Sequence, residues 1–152
     1  MDYLLDTNLI LFYLRNETKV IDIVDTLYRP FATPNSALIS IVSIAELKSL
    51  AMRNDWGYHR LSHMQLFLNE LLRVDINSED VFERYAEIDT FSQGKSKIKS
   101  LKDSARNMGK NDLWIAATAS VLNIPLLTTD KDFNHLKDVY VDVRYIALTG
   151  AK

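Results

Sequence analysis

Asn111-Asp112-Leu113-Trp114-Ile115-Ala116-Ala117-Thr118-Ala119-Ser120-Val121-Leu122, followed by Asn123-Ile124 and Pro125-Leu126-Leu127-Thr128-Thr129-Asp130, is the stretch that decides the fold. Leu113 to Leu122 is apolar and long enough for a buried helix, and Pro125 cannot continue it. Leu126 and Leu127, closed by two β-branched threonines, read as a short buried strand. A helix leading into an apolar strand is half of a parallel β/α unit, because parallel strands need crossover helices between them. In such a sheet the helices run antiparallel to the strands. Helix starts therefore share an edge with strand ends, and ligands bind at that edge. Asp112 opens this helix and Asp130 closes this strand, which puts both acids there.

The same alternation extends toward both ends of the chain. Tyr3-Leu4-Leu5 reads as a short buried strand, with a helix from Asn8 to Arg15 behind it. Lys19 to Tyr28 carries apolar residues at 20, 23, 24 and 27, a helical spacing. Pro30 and Pro34 punctuate a connection to a second strand, Ala37 to Ile41, and a helix from about Ser43 to Asn54. Residues 57–73 form a long amphipathic helix with Leu61, Met64, Phe67, Leu68, Leu71 and Leu72 on one side. Val74 to Ile76 is a further short strand, Ser78 to about Phe91 a helix, and Val139 to Ile146 the last strand. The expectation is an α/β fold of four or five parallel strands with helices on both faces.

Two more acids belong to the same edge. Asp6 ends the first strand, and Glu46 falls in the first turn of the helix after the second. Glu46 shares a stripe with Val42 and Leu50, which turns it toward the protein. Like charges packed near 4 Å cost about 4 kcal/mol per pair at an effective dielectric of about 20. Four carboxylates in one place must therefore be protonated, dispersed or neutralised. An all-oxygen set suits a hard divalent cation, Mg²⁺ or Mn²⁺. Metal-activated water beside a phosphate is the chemistry of phosphodiester hydrolysis. Each acid also has a plainer reading: Asp6, Asp112 and Asp130 as helix caps, Glu46 as half of a buried salt bridge. Asp132 either reaches a metal through water or simply favours a helix start.

Composition sets the limits of this reading. The 152 residues suffice for one domain spanning the chain, and 47% apolar with 25% charged residues is an ordinary globular balance. No cysteine is present, so disulfides, thiolate metal sites and a cysteine nucleophile are excluded, and a reducing cytoplasm suits the chain. Met1-Asp2-Tyr3 lacks the basic start of a secretory signal, and Asp6 and Glu46 interrupt the best apolar runs, so no membrane association is expected. A net charge of −2 requires any nucleic acid to be held by a local patch.

Four blocks carry a family resemblance: Leu5-Asp6-Thr7-Asn8, Ser43-Ile44-Ala45-Glu46-Leu47, Asn111-Asp112-Leu113-Trp114-Ile115-Ala116-Ala117 and Leu127-Thr128-Thr129-Asp130-Lys131-Asp132-Phe133. In this order they resemble the PIN-domain ribonucleases, in particular the VapC-type toxins of bacterial toxin–antitoxin pairs. The resemblance spans essentially the whole chain. It implies a three-layer α/β/α sandwich around a parallel sheet of about five strands, and a Mg²⁺- or Mn²⁺-dependent endoribonuclease acting on an RNA substrate. A cognate antitoxin and a homodimer are the implied partners. Asp6, Glu46, Asp112 and Asp130 match the acidic metal ligands, with Asp6 and Asp112 as direct contacts. Asn8 and Thr128 or Thr129 match positions that orient carboxylates.

Residues 95–110 hold Lys95, Lys97, Lys99, Lys102, Arg106 and Lys110 against Asp103 alone. On a helix, most of these cations fall on one stripe, with Ile98, Leu101, Ala105 and Met108 on another. A basic helix delivered to Asp112 would hold RNA through Lys99, Lys102, Arg106 and Lys110; a solvated face or a seat for an acidic partner are the alternatives. His59 and His63 lack a third ligand and read as surface or packing residues, while His135 is placed to touch substrate. Two other functions compete. One is a non-catalytic RNA- or protein-binding module on the same scaffold. The other is an aspartyl-nucleophile phosphatase built on Asp6, which needs a second acid where Asn8 stands.

Overall fold

The computed structural model describes residues 1–148. Five strands form one sheet in the order β3-β2-β1-β4-β5, every neighbouring pair parallel: β1 (Asp2–Leu5), β2 (Ser36–Ser40), β3 (Leu72–Val74), β4 (Leu126–Thr128) and β5 (Val143–Tyr145). Six α-helices connect them: α1 (Thr7–Leu14), α2 (Thr18–Leu27), α3 (Ile41–Arg53), α4 (Tyr58–Asn69), α5 (Glu79–Ser92) and α6 (Lys110–Leu122). A 3₁₀ helix, Lys131–Leu136, follows β4.

Alternation along the strands builds the three layers. Tyr3, Leu5, Ala37, Ile39 and Leu127 face one side, where α1, α2, α3 and α4 supply Leu9, Ile10, Val24, Leu47 and Leu68. Leu4, Leu38, Leu126 and Val143 face the other, where α5, α6 and the 3₁₀ helix supply Ile88, Phe91, Leu113, Ala116 and Phe133. The sheet is thus buried on both faces, which is why its strands read as continuous apolar runs. Asn123 closes α6 in the left-handed region (φ 54°), letting the chain reverse into Pro125 and β4 within three residues.

The fold class and the helix–strand alternation match the sequence reading; some boundaries move. Helix α3 starts at Ile41, where the Ser40 hydroxyl caps the Val42 amide at 3.2 Å, so Glu46 lies in the second turn and not the first. The helix expected over 57–73 stops at Asn69, and β3 begins at Leu72 instead of Val74. Leu71 is still buried, but Leu72 is 58% exposed on an edge strand paired to Leu38, so the apolar stripe ran past the helix it described. The last strand is three residues and not eight, because β4 offers only Leu126 to Thr128 as pairing partners.

The larger correction is the basic helix: residues 95–109 form no helix. The Ser96 hydroxyl takes the amides of Ile98 and Lys99 at 3.2 and 3.1 Å, the local bond by which serine competes with helical pairing. Stacking cations three and four residues apart would also cost repulsion along a helix stripe. Leu101 and Met108 pin the segment to the α5/α6 side of the core, while Ile98 stays 85% exposed.

Candidate functional site

The order β3-β2-β1-β4-β5 reverses direction between β1 and β4, and that is where an open parallel sheet leaves a crevice beyond its strand ends. Asp6 is the first residue past β1. Leu5 pairs with Leu127, and the Asp6 amide donates to the Leu127 carbonyl at 3.2 Å, which brings Asp6 beside Thr128. One Asp6 oxygen accepts the Leu9 amide at 2.7 Å and the other accepts the Thr128 hydroxyl. Capping α1 and facing the crevice are therefore the same placement, and Asp6 is only 3% exposed. The Thr128 hydroxyl accepts in turn from the Asp130 amide at 2.9 Å, and Asp130 caps the 3₁₀ helix by taking the Asp132 amide at 2.8 Å.

Asp112 sits in the first turn of α6, whose cap is Gly109, so it caps nothing. Its charge is felt by its neighbours. Burial, then Asp130, Glu46 and Asp132, push the Asp112 carboxyl up to about 6. Burial is also the largest effect on Asp6, raised to about 7 even though the Thr128 and Leu9 hydrogen bonds pull it down and Asp112 and Asp130 push it further up. The four acids expected at the site thus share one electrostatic neighbourhood. Among the described residues the ion pairs are Arg84–Glu87 and Arg144–Asp142, both elsewhere, so no protein cation offsets these carboxylates.

Glu46 corrects its own reading. Val42, Glu46 and Leu50 do share a stripe, but all three are half-buried and line a groove rather than the core. Among the described residues Glu46 has no salt-bridge partner; instead Thr7 donates to it at 2.8 Å. A hydroxyl has one proton, so Thr7 accepts from the Ser43 hydroxyl, also at 2.8 Å. Thr7 and Ser43 were missed by sequence reasoning. The available signal was their place beside Asp6 and one turn before Glu46.

Of the positions expected to orient carboxylates, Thr128 does so directly. Thr129 and Asn8 do not: among the described residues neither side chain has a hydrogen-bond partner, and Asn8 is exposed beside the crevice. The Asp132 carboxylate is exposed, with only its amide engaged. His135 does not reach the crevice; it is 6% exposed, stacked on Phe91 and 2.7 Å from the Ser92 hydroxyl. His59 and His63 are exposed on α4. The basic side chains are dispersed. The Lys99 ammonium lies 4.1 Å over the Tyr140 ring and donates to the Val139 carbonyl at 3.2 Å, while Ser120, eight residues along α6 from Asp112, bonds the Tyr140 carbonyl at 2.6 Å. That is the far end of α6, about 12 Å from Asp112 at 1.5 Å per residue. Arg106 is half-buried near His135, Lys102 is exposed, and Lys110 opens α6 two residues before Asp112.

The residues present fit a divalent cation. A buried and a half-buried carboxyl held well above their ordinary range, with no counter-cation among the described residues, gain most from one. Among the described residues no three His, Asp or Glu side chains are grouped closely enough to hold an ion by themselves, so an ion here would keep several waters, as Mg²⁺ commonly does. No helix among the described residues is long and apolar enough to cross a membrane.

Comparison with known proteins agrees with this geometry. The PIN domain family model matches residues 3–139. Ribonuclease VapC1 of Haemophilus influenzae is 32% identical over 142 residues, covering 91% of this chain and 95% of that protein. Two solved structures share the fold. VapBC2 from Rickettsia felis, bound to a DNA fragment from its promoter, superposes with a TM-score of 0.72 at 22% identity, covering 97% of this chain and 100% of that one. VapBC-1 from nontypeable Haemophilus influenzae gives 0.70 at 24% identity, covering 95% and 98%. On its acids, its sheet order and these relatives together, the chain belongs to the PIN-domain family, among its VapC-type members.

Proposed function

We propose that this protein is a divalent-metal-dependent endoribonuclease and the toxin of a toxin–antitoxin pair. The observation that carries the reading is the convergence of Asp6, Glu46, Asp112 and Asp130 at the strand-order reversal without a protein cation among the described residues. Asp6 and Asp112 are the direct ligands in this reading, with Glu46 and Asp130 completing the acidic set. A bound Mg²⁺ or Mn²⁺ ion would neutralise charge on a phosphodiester and supply an activated water. The chain's own part is preorganisation. Leu9 and Thr128 fix both oxygens of Asp6, Thr7 aims Glu46, and Asp132 steadies Asp130 through its amide. Of the four residues expected to hold RNA, Lys102 and Lys110 are exposed and able to meet phosphate, while Lys99 lies over the Tyr140 ring and Arg106 is half-buried near His135. The VapBC relatives support a cognate antitoxin as the partner. An aspartyl-phosphatase reading finds no support, because an exposed, ionised nucleophile is the opposite of a 3% exposed Asp6 raised to about 7.

The test is incubation of the full chain with single-stranded RNA, in Mg²⁺ or in EDTA, beside Asp6→Asn. Cleavage that needs the metal and vanishes in the variant is expected. Equal cleavage by Asp6→Asn, or none by the wild type in Mg²⁺ or Mn²⁺, contradicts the reading.

A further inference from the structure

Two lobes of about 570 Å³ each flank the acids, and they share Asn8 and Leu11 of α1 as their common ridge. The first lobe holds Glu46 and ends at Arg53; the second holds Asp130 and carries Arg15 and Lys131. Helix α1 explains the second lobe. Leu9, Ile10 and Tyr13 take its buried face, leaving Asn8, Leu11, Phe12 and Arg15 at spacings of three, four and seven, one stripe along the groove. The opposite wall is Tyr145, which pairs in register with Thr128 and so stands one strand, about 5 Å, from the residue that bonds Asp6.

Two features of this lobe set it apart. Phe12 is half-buried against the edge of the core and Tyr145 is half-buried on the other wall, and among the described residues neither packs on another ring. Arg15 and Lys131 are exposed beside acids, yet among the described residues neither forms an ion pair. Unpaired rings together with unpaired cations, next to a site for phosphodiester chemistry, match one repeating chemistry: a base to stack and a phosphate to neutralise.

The geometry points to the α1/β5 lobe as a nucleotide subsite for single-stranded RNA. The base of the nucleotide beside the cut phosphate lies against Tyr145 and Phe12, its neighbouring phosphate meets Arg15 and Lys131, and the exposed Asn8 amide stands between base and carboxylates. The substrate class follows. A base reaches these rings only when it is out of a helix, so paired RNA is excluded from the lobe. The inference rests on the nuclease reading above and adds to it the residues that grip the strand.

Binding of a fluorescein-labelled single-stranded RNA by the full chain in EDTA, with cleavage of the same RNA measured in Mg²⁺, tests both layers separately. Tyr145→Leu should weaken binding about tenfold and Tyr145→Phe should preserve it, since stacking and not the hydroxyl is used. The double variant Arg15→Gln with Lys131→Gln, both exposed, should reduce the salt slope by about 1.4, at about 0.7 per single-strand phosphate contact. A wild type that cuts, with these variants binding as it does, assigns the lobe to another partner and overturns the inference alone. So does a duplex bound as tightly as the single strand. A wild type that neither binds nor cuts RNA removes the nuclease reading and the inference with it.

Discussion

The acidic crevice and the basic segment before it make an instructive pair. Both are rich in one sign of charge, and both were singled out from sequence. The acids arrive where expected because sheet topology places them: Asp6 follows β1, Asp112 sits in the first turn of α6, and Asp130 follows β4. The cations of residues 95–109 have no such constraint. Their helical period is real, but no helix forms; Ser96 binds its own neighbours' amides, Lys99 turns to Tyr140, and Arg106 turns inward. Position fixed by strand register survives folding, whereas periodicity without a buried face to seat it does not.

The largest effect that would break this contrast is chemical. Asp6→Asn should lower cleavage of RNA by about 10²–10³-fold or more, the scale for losing a preorganised electrostatic contact, while Lys95→Gln should leave the rate within a few-fold. Comparable losses in both would erase the distinction between the two regions.

Next comes the pH dependence of stability. An unfolded aspartate ionises near 3.8, but Asp6 does so near 7 in the folded chain, so between those values the folded protein holds a proton that the unfolded chain has released. Stability of the metal-free protein therefore falls as pH rises through that window. Between pH 5 and pH 8 the loss from Asp6 is about 2–3 kcal/mol at 1.36 kcal/mol per unit, on the order of 5–10 °C in melting temperature for a chain of this size. Melting curves in EDTA should show it, and Asp6→Asn should reduce it to the smaller fall left by Asp112, which is raised to about 6. A midpoint that rises toward pH 8 would contradict the burial of an uncompensated carboxyl.

Thr128→Val sharpens the comparison within the acidic region. It keeps the shape of the side chain but removes the hydroxyl shared by Asp6 and the Asp130 amide. Metal affinity should drop about 10- to 100-fold, while Thr129→Val should change little. Equal effects would mean that the hydroxyl does not orient Asp6. The smallest effect belongs to the basic segment: Lys95→Gln with Lys97→Gln, both exposed, should shift stability by no more than about 0.5 kcal/mol, read from urea midpoints.

Much of the fold was legible because short apolar strands alternated with helices, and both faces of the sheet are buried. The four acids were legible for the same topological reason. What the sequence did not disclose were details set by tertiary partners. The length of β5 depends on how much of β4 is available, and the apolar stripe through Leu72 did not reveal that the chain leaves the helix at Asn69. Glu46 looked inward by periodicity, but the groove beside α1 lies on that side, and the partner it found was the Thr7 hydroxyl rather than a cation. His135 followed an acidic block in sequence, yet the 3₁₀ helix turns it onto Phe91 and Ser92. Order along the chain says which edge a residue reaches, and not which neighbours fill the space around it.

Calorimetric titration of the metal-free chain with Mn²⁺ near neutral pH bears most directly on whether the acidic crevice is built around a counterion. Saturable uptake is expected, accompanied by proton release as the raised carboxyls ionise, and abolished in Asp6→Asn. No heat of binding at millimolar metal, or uptake unchanged by that substitution, would contradict it.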